Sequence, residues 1–134
     1  MSFSSILGLY ALVFILFAVI DLVWLGIVIK DFINNQLGHL RGDLNWYAVV
    51  LFYLLYPMAL MVFAVYPAAR GGSVATALLL GALFGFFAYM TYDLTNLATL
   101  KGWPTTFVIA DIIWGTIVSA VAAGGALYLY QLIT

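Results

Sequence analysis

Four long apolar runs, separated by short polar segments, make up most of this chain of 134 residues. They cover residues 3–29, 44–66, 73–100 and 105–132, and a helix needs about 20 mostly apolar residues to cross a bilayer. Unpaired backbone groups cannot face lipid, so a span must be a helix or a strand of a closed barrel, and barrel strands alternate apolar and polar residues. These runs do not alternate. The sequence therefore predicts an all-α polytopic membrane protein, with residues 1–134 forming a single four-transmembrane-helix bundle with short loops.

Composition excludes several functional classes. Hydrophobic residues make up 67% of the chain and charged residues 7%, against roughly 45–50% and 25% in soluble globular domains. A net charge of −1 offers no basic patch for nucleic acid. With no cysteine and one histidine, His39, a single chain has no thiolate chemistry and no multi-histidine metal or haem site. The first apolar run lacks a basic leader and a small-residue cleavage site, so we expect a retained span rather than a secretory signal.

The loops predict an orientation in the membrane. In a chain with four spans, the first loop (residues 30–43) and the third loop (residues 101–104) lie on the same side. These loops carry Lys30, Arg41 and Lys101, whereas the second loop carries Arg70. Positive residues favour the cytoplasmic side, so we expect the first and third loops in the cytoplasm and both termini on the non-cytoplasmic side.

Three aspartates interrupt the apolar runs, and such acids in a membrane span usually face the interior of a bundle. At about 1.5 Å per residue, Asp21 lies about 12 Å, and Asp93 and Asp111 about 10 Å, from the helix ends at the first and third loops. Tyr53, in the second run, lies about 13 Å from the same side. Every predicted helix thus offers a polar side chain to one layer, and we expect a shared polar centre there.

Helical spacing indicates which residues accompany these acids. Residues three and four apart share a helix face, which places Tyr89 and Asn96 with Asp93, next to Tyr92. Small residues let membrane helices pack closely, and they recur as Gly115-x-x-x-Ser119-x-x-x-Ala123 beside Asp111. Gly81-x-x-x-Gly85 predicts a second close contact.

A repeated Asp-x-x-Trp spacing supplies indole donors near two of the acids: Asp21 precedes Trp24, and Asp111 precedes Trp114. An indole N–H one turn from a carboxylate can donate to it or to its ligand. The two helices run in opposite directions, so counting along them predicts Trp24 nearer the loops and Trp114 nearer the midplane. Pro57 predicts a kink in the second span.

These elements resemble a known family. The two Asp-x-x-Trp pairs, together with the run Tyr-Asp-Leu-Thr-Asn-Leu-Ala over residues 92–98, are similar to a bacterial family of predicted membrane proteins catalogued as domain of unknown function 2177. The resemblance covers essentially the whole chain. It implies a four-helix protein of the bacterial inner membrane, and it implies no reaction and no catalytic residue.

Proton- or cation-coupled transport or binding of a small molecule is the leading functional hypothesis. Closely spaced carboxylates share protons, and a cationic substrate could displace those protons while aromatic rings supply cation–π surfaces. Four helices make a narrow wall, so a homodimer is expected, with the lipid bilayer and a small cationic or lipidic ligand as partners and no cofactor. The candidate residues for proton carrying or binding are Asp21, Trp24, Tyr53, Tyr89, Tyr92, Asp93, Asn96, Asp111 and Trp114.

Two other hypotheses remain open on the sequence alone. The first is a membrane-embedded enzyme that modifies a lipid or isoprenoid, in which Asp21, Asp93 and Asp111 would hold Mg²⁺ through their oxygens while the basic loops meet a phosphate headgroup. No two acids have the Asp-x-x-x-Asp spacing on one helix that such a site favours, so the sequence leans away from an enzyme. The second is a purely structural network of buried, hydrogen-bonded acids that fixes how the helices pack.

Overall fold

The computed structural model describes residues 1–134 and consists of helices without strands. Four helices are long and apolar enough to span a membrane: α1 (Phe3–Val28), α3 (Trp46–Gly71), α4 (Val74–Thr99) and α5 (Thr105–Ile133). A short helix, α2 (Lys30–Leu37), and a 3₁₀ turn (Gly38–Leu40) lie in the first loop. The predicted all-α polytopic bundle is confirmed.

Local sequence signals set where the spanning helices begin. Ser2, Asn45 and Ser73 precede α1, α3 and α4, and each side chain accepts a hydrogen bond from a backbone N–H of the first turn. These bonds satisfy donors that have no partner within the helix. At α4 the arrangement is reciprocal, because the side chain of Thr76 also accepts from the backbone N–H of Ser73. Pro104 precedes α5 in an extended conformation.

The second spanning helix, α3, extends further than the sequence predicted. We expected it to end at Tyr66, with Pro67 opening a tight connection, but the helix continues to Gly71. The stretch just before this proline, Met61–Val65, is π-helical. A proline ring clashes with the preceding turn of a regular α-helix, and the wider π turn provides a break in that regular geometry.

The first loop also differs from the expectation of an irregular segment, because its first eight residues form α2. Phe32, Ile33, Gln36 and Leu37 are half-buried, while Asn34 and Asn35 between them are exposed. Half-buried positions at this spacing lie on one face of a helix. The segment is too short and too polar for its periodicity to stand out in the sequence.

Tight packing between α4 and α5 forms the most extensive contact in the bundle. A Cβ atom added to Gly81 would lie 2.6 Å from the carbonyl oxygen of Ser119, and one added to Gly85 would lie 2.6 Å from Ser119 Cβ. Only glycine permits this approach. The two small-residue patterns of the sequence therefore meet each other in one interface, and they do not form two separate contacts.

The buried apolar core occupies the half of the bundle that holds the chain termini. Its residues precede Asp21 on α1 and Asp93 on α4, and they follow Tyr53 on α3 and Asp111 on α5. This apolar core consists of Leu9, Val13, Phe17, Leu60, Met61, Ala64, Val65, Ala68, Ala77, Val118, Ala122, Ala123, Ala126 and Leu127. The half of the bundle near the first and third loops contains none of these residues. On that side the two loops meet, because the imidazole of His39 lies against Gly102.

Candidate functional site

A cavity of about 530 Å³ lies in the half of the bundle opposite the apolar core. All four spanning helices contribute to its wall. Seven of its eleven lining residues are aromatic and two are aspartates. The lining residues are Asp21, Leu25, Phe52, Tyr53, Tyr56, Ala88, Tyr89, Tyr92, Phe107, Asp111 and Trp114.

Asp21 is held by donors from two other helices. Tyr53 Oη on α3 donates to Asp21 Oδ2 over 2.6 Å, and Trp114 Nε1 on α5 donates to Asp21 Oδ1 over 2.9 Å. The Asp21 side chain is almost completely buried, with 3% of its surface exposed. Both carboxylate oxygens therefore have a fixed partner, and the position of this acid is set by three helices at once.

Two tryptophans of the repeated Asp-x-x-Trp spacing stack on each other. The rings of Trp24 and Trp114 lie 4.1 Å apart between centroids and within 6° of parallel. The prediction that they lie at different depths is wrong. Helical side chains tilt toward the N-terminus of their own helix. Because α1 and α5 run in opposite directions, Trp24 leans toward the midplane and Trp114 leans toward the loops, so the two indoles meet.

Asp111 and Asp93 are neighbours in different surroundings. Asp111, on α5, lines the cavity and is half-buried. Asp93, on α4, does not line the cavity, and none of its surface is exposed. The two carboxyl groups lie close enough to interact directly. Neither oxygen of Asp93 has a hydrogen-bond donor among the side chains and backbone around it.

Tyr89 lines the cavity because a glycine faces it. Its ring occupies the space that a side chain at Gly115 would fill. Tyr92, one turn away on α4, also lines the cavity, and its ring packs edge-on against Trp103 at 5.7 Å. Asn96 does not line the cavity and makes no side-chain hydrogen bond. Of the candidate residues on α4, only the two tyrosines therefore reach the cavity surface.

Sequence reasoning missed several lining residues, Tyr56 among them, and it named Ser119 only as a small residue in helix packing. Tyr56 lines the cavity and shares a hydrogen bond of 2.7 Å with Ser119, which is completely buried. Tyr56 follows Tyr53 by three residues, a spacing that places both on one helix face. That spacing was a usable signal, whereas the pairing with Ser119 depends on how α3 and α5 pack.

The charges around the cavity are of one sign. Asp21 and Asp111 line it, and no lysine, arginine or histidine does. The chain also contains no group of three aspartate, glutamate, histidine or cysteine side chains placed to hold a metal ion. Asp21, Asp93 and Asp111, which the sequence offered as Mg²⁺ ligands, therefore do not form such a group. The cavity is therefore lined mainly by aromatic rings and two aspartates, without a basic side chain.

A comparison with protein families matches residues 6–128 to the family described as "Predicted membrane protein (DUF2177)". The match covers nearly the whole chain, so the chain belongs to this family, as the resemblance of its motifs implied. No curated protein matches the chain. No solved structure matches it either.

Proposed function

We propose that this member of the DUF2177 family binds a small organic cation in the cavity between its four helices, as the binding step of proton- or cation-coupled transport. The observation that carries the proposal is the combination of seven aromatic rings and two aspartates in a lining without a basic side chain. Ring faces attract cations, and the attraction strengthens where water is excluded. Carboxylates in the same wall supply the opposite charge that a desolvated cation needs.

The size of the cavity supports a small-molecule ligand. Its volume of about 530 Å³ falls within the range of roughly 300–1,000 Å³ of sites for drug-sized ligands. Such sites are mostly apolar and have a few polar groups that fix orientation. Here the apolar part is mostly aromatic, and the polar groups are the two aspartates and the tyrosine hydroxyl groups.

The position of the cavity supports access from the side of the first and third loops. The apolar core fills the other half of the bundle. Transport across the membrane therefore requires the core to open, and the π-helical turn Met61–Val65 lies within it. π-helical turns inside α-helices are frequent at functional sites. We place the movement that opens the far side at this turn.

The cation-binding proposal is tested with tetraphenylphosphonium, a lipophilic organic cation, by calorimetry on the purified protein in detergent. Asp111→Asn removes a cavity charge and is expected to weaken binding at least tenfold. Asp43→Asn removes the same charge from an exposed loop position and is the matched control, expected to bind like the wild type. Tetraphenylborate, an anion of the same shape, is expected not to bind.

Three results would overturn this proposal. One is equal binding of the cation and the anion, which would mean that the cavity recognises only apolar shape. Another is unchanged affinity in correctly folded Asp21→Asn and Asp111→Asn variants. The third is failure of the wild-type protein to bind the cation at all.

A structural role in addition to ligand binding is supported at one position. Asp21 joins three helices through two hydrogen bonds, so Asp21→Asn is expected to lower the unfolding free energy as well as the affinity. Asp111 accepts no hydrogen bond from a tyrosine or a tryptophan, and a loss of binding in Asp111→Asn without a loss of stability separates ligand recognition from structure. No observation favours the metal-dependent enzyme.

We place the protein in the bacterial inner membrane with its first and third loops in the cytoplasm. The distribution of Lys30, Arg41 and Lys101 against Arg70 supports this orientation. The chain has no cysteine, so a single introduced cysteine reports its own side. A membrane-impermeant maleimide added to intact cells is expected to label Arg70→Cys and not Lys101→Cys, and the reverse pattern would invert the orientation.

A homodimer is part of the transport proposal. Four helices are few to enclose a pathway that opens in turn to each side of the membrane. The mass of the detergent-solubilised protein, determined by light scattering after subtraction of the detergent, is expected to correspond to two chains. A monomer that still binds the cation would separate the binding site from the transport step.

A further inference from the structure

Three buried side-chain polar atoms in this protein have no hydrogen-bond partner, and all three lie in the half of the bundle toward the third loop. They are the two carboxyl oxygens of Asp93 and the indole nitrogen of Trp103. Nearly all buried polar groups in folded proteins are paired, so each exception calls for an explanation. The carboxyl group of Asp93 is harder to explain than the indole N–H of Trp103, because a buried charge is costly unless it is paired.

One group that interacts with the side chain of Asp93 is itself an acid. That group is Asp111 on α5. The other titratable groups that face this pair are Tyr89 and Tyr92 from α4, Asp21 from α1, and Tyr53 and Tyr56 from α3. None of them is cationic. An ionised carboxylate only accepts hydrogen bonds, so two ionised acids cannot satisfy each other.

A shared proton removes this conflict. A protonated carboxyl group has an O–H that donates, and one proton between Asp93 and Asp111 gives the buried acid the hydrogen-bond partner that it otherwise lacks. Asp21 differs in this respect, because Tyr53 and Trp114 already donate to both of its oxygens. The three aspartates therefore have two different roles. Asp21 accepts two hydrogen bonds, whereas Asp93 and Asp111 form a pair that holds a proton.

We infer that Asp93 and Asp111 share one proton while the cavity is empty and release it to water when an organic cation binds against Asp111. This inference rests on the proposed function and adds to it a proton exchange and the residues that perform it. The charges balance: one cation enters, one proton leaves from the carboxyl pair through the cavity on the loop side, and no bond between heavier atoms changes. Asp93 acts through Asp111 and is a positioning residue.

The direct test is the number of protons released per bound tetraphenylphosphonium, which calorimetry in two buffers of different ionisation enthalpy determines. The wild-type protein is expected to release close to one proton over the pH range in which the pair is protonated, and its affinity is expected to rise up to tenfold per pH unit there. Asp93→Asn is expected to bind the cation, to release almost no proton and to change its affinity less than twofold over the same range. Its amide can donate to Asp111 in place of the lost proton.

Asn96→Ala is the matched control, because it changes a polar side chain on the same helix that neither lines the cavity nor forms a hydrogen bond. It is expected to release the same number of protons as the wild type. Equal proton release and equal pH dependence in Asp93→Asn and the wild type would overturn the inference while leaving the cation site intact.

Infrared spectroscopy tests the shared proton without any ligand. The carbonyl band of a protonated carboxyl group in the empty protein is expected to disappear in Asp93→Asn and to persist in Asp21→Asn. Loss of the band in Asp21→Asn alone would overturn the inference, whether or not the cation binds. If Asp93→Asn does not fold, the wild-type difference spectrum decides: the inference requires the band to disappear when the cation is added, and an unchanged band contradicts it.

Discussion

Replacing Gly85 with alanine is the sharpest structural test of how the site is built. The added Cβ would lie 2.6 Å from Ser119 Cβ and closer still to the carbonyl oxygen of Gly115. Both atoms belong to α5, and the nearer one is backbone. No change of side-chain rotamer makes room for the methyl group, so α4 and α5 must move apart.

The expected size of the effect follows from two opposing contributions. Overpacking a well-packed interior costs about 1–3 kcal/mol, and a clash with backbone belongs at the upper end of that range. Alanine in the middle of a helix is more favourable than glycine by roughly 0.5–1 kcal/mol. The net loss of unfolding free energy is therefore about 2 kcal/mol. Gly8→Ala is the matched control, since nothing lies within 4 Å of a Cβ added at Gly8, and it should be neutral or slightly stabilising.

Unfolding in mixed detergent and SDS micelles, followed by tryptophan fluorescence, measures this difference. The stacked indoles of Trp24 and Trp114 join α1 to α5, so their emission reports the separation of these helices. If Gly85→Ala and Gly8→Ala are equally stable, the close contact between α4 and α5 does not exist as described. The position of every side chain that α5 contributes to the cavity would then be in doubt.

Three further substitutions test single features. Tyr53→Phe removes one of the two donors to Asp21, and the unfolding free energy should fall by about 1 kcal/mol, within the range measured for hydrogen bonds between membrane helices; no change would show that this bond is absent in the membrane. Trp24→Leu abolishes the indole stack and should cost about 0.5–1.5 kcal/mol, yet change the affinity for tetraphenylphosphonium less than threefold, because this residue does not line the cavity. Gly102→Ala places a side chain at a φ of 74° and should destabilise the protein by about 1–2 kcal/mol, whereas Gly42→Ala, at an unstrained loop position with open space, should have no effect.

The fold was predictable from the sequence because one physical requirement dominates it. Apolar runs of this length must cross the bilayer as helices, and the four runs matched the four observed spans to within a few residues except at the end of α3. The exceptions are local. The π-helical turn before Pro67 and the short helix α2 depend on contacts that no hydropathy pattern encodes.

The candidate site was predictable only in part. Counting along each helix placed Asp21 and Tyr53 at similar depths, and their side chains are hydrogen-bonded across α1 and α3. Counting treats a residue as a point on the helix axis, so it misplaced Trp24 and Trp114, whose long side chains reach a turn away from their backbone. It also could not tell that Asp111 lines the cavity whereas Asp93 does not.

We expect the glycines of α4 and α5 to link the stability of the bundle to the proposed binding of a cation. Gly85 lets α5 approach, and Gly115 on α5 leaves the space that the ring of Tyr89 fills. The same face of α5 carries Asp111 one turn before Gly115. The contact between α4 and α5 therefore also sets the distance between the ring of Tyr89 and the carboxyl group of Asp111. A substitution that separates α4 from α5 should therefore weaken cation binding even when it touches no lining residue. A variant that loses stability at this interface but binds tetraphenylphosphonium as tightly as the wild type would show that the two are independent.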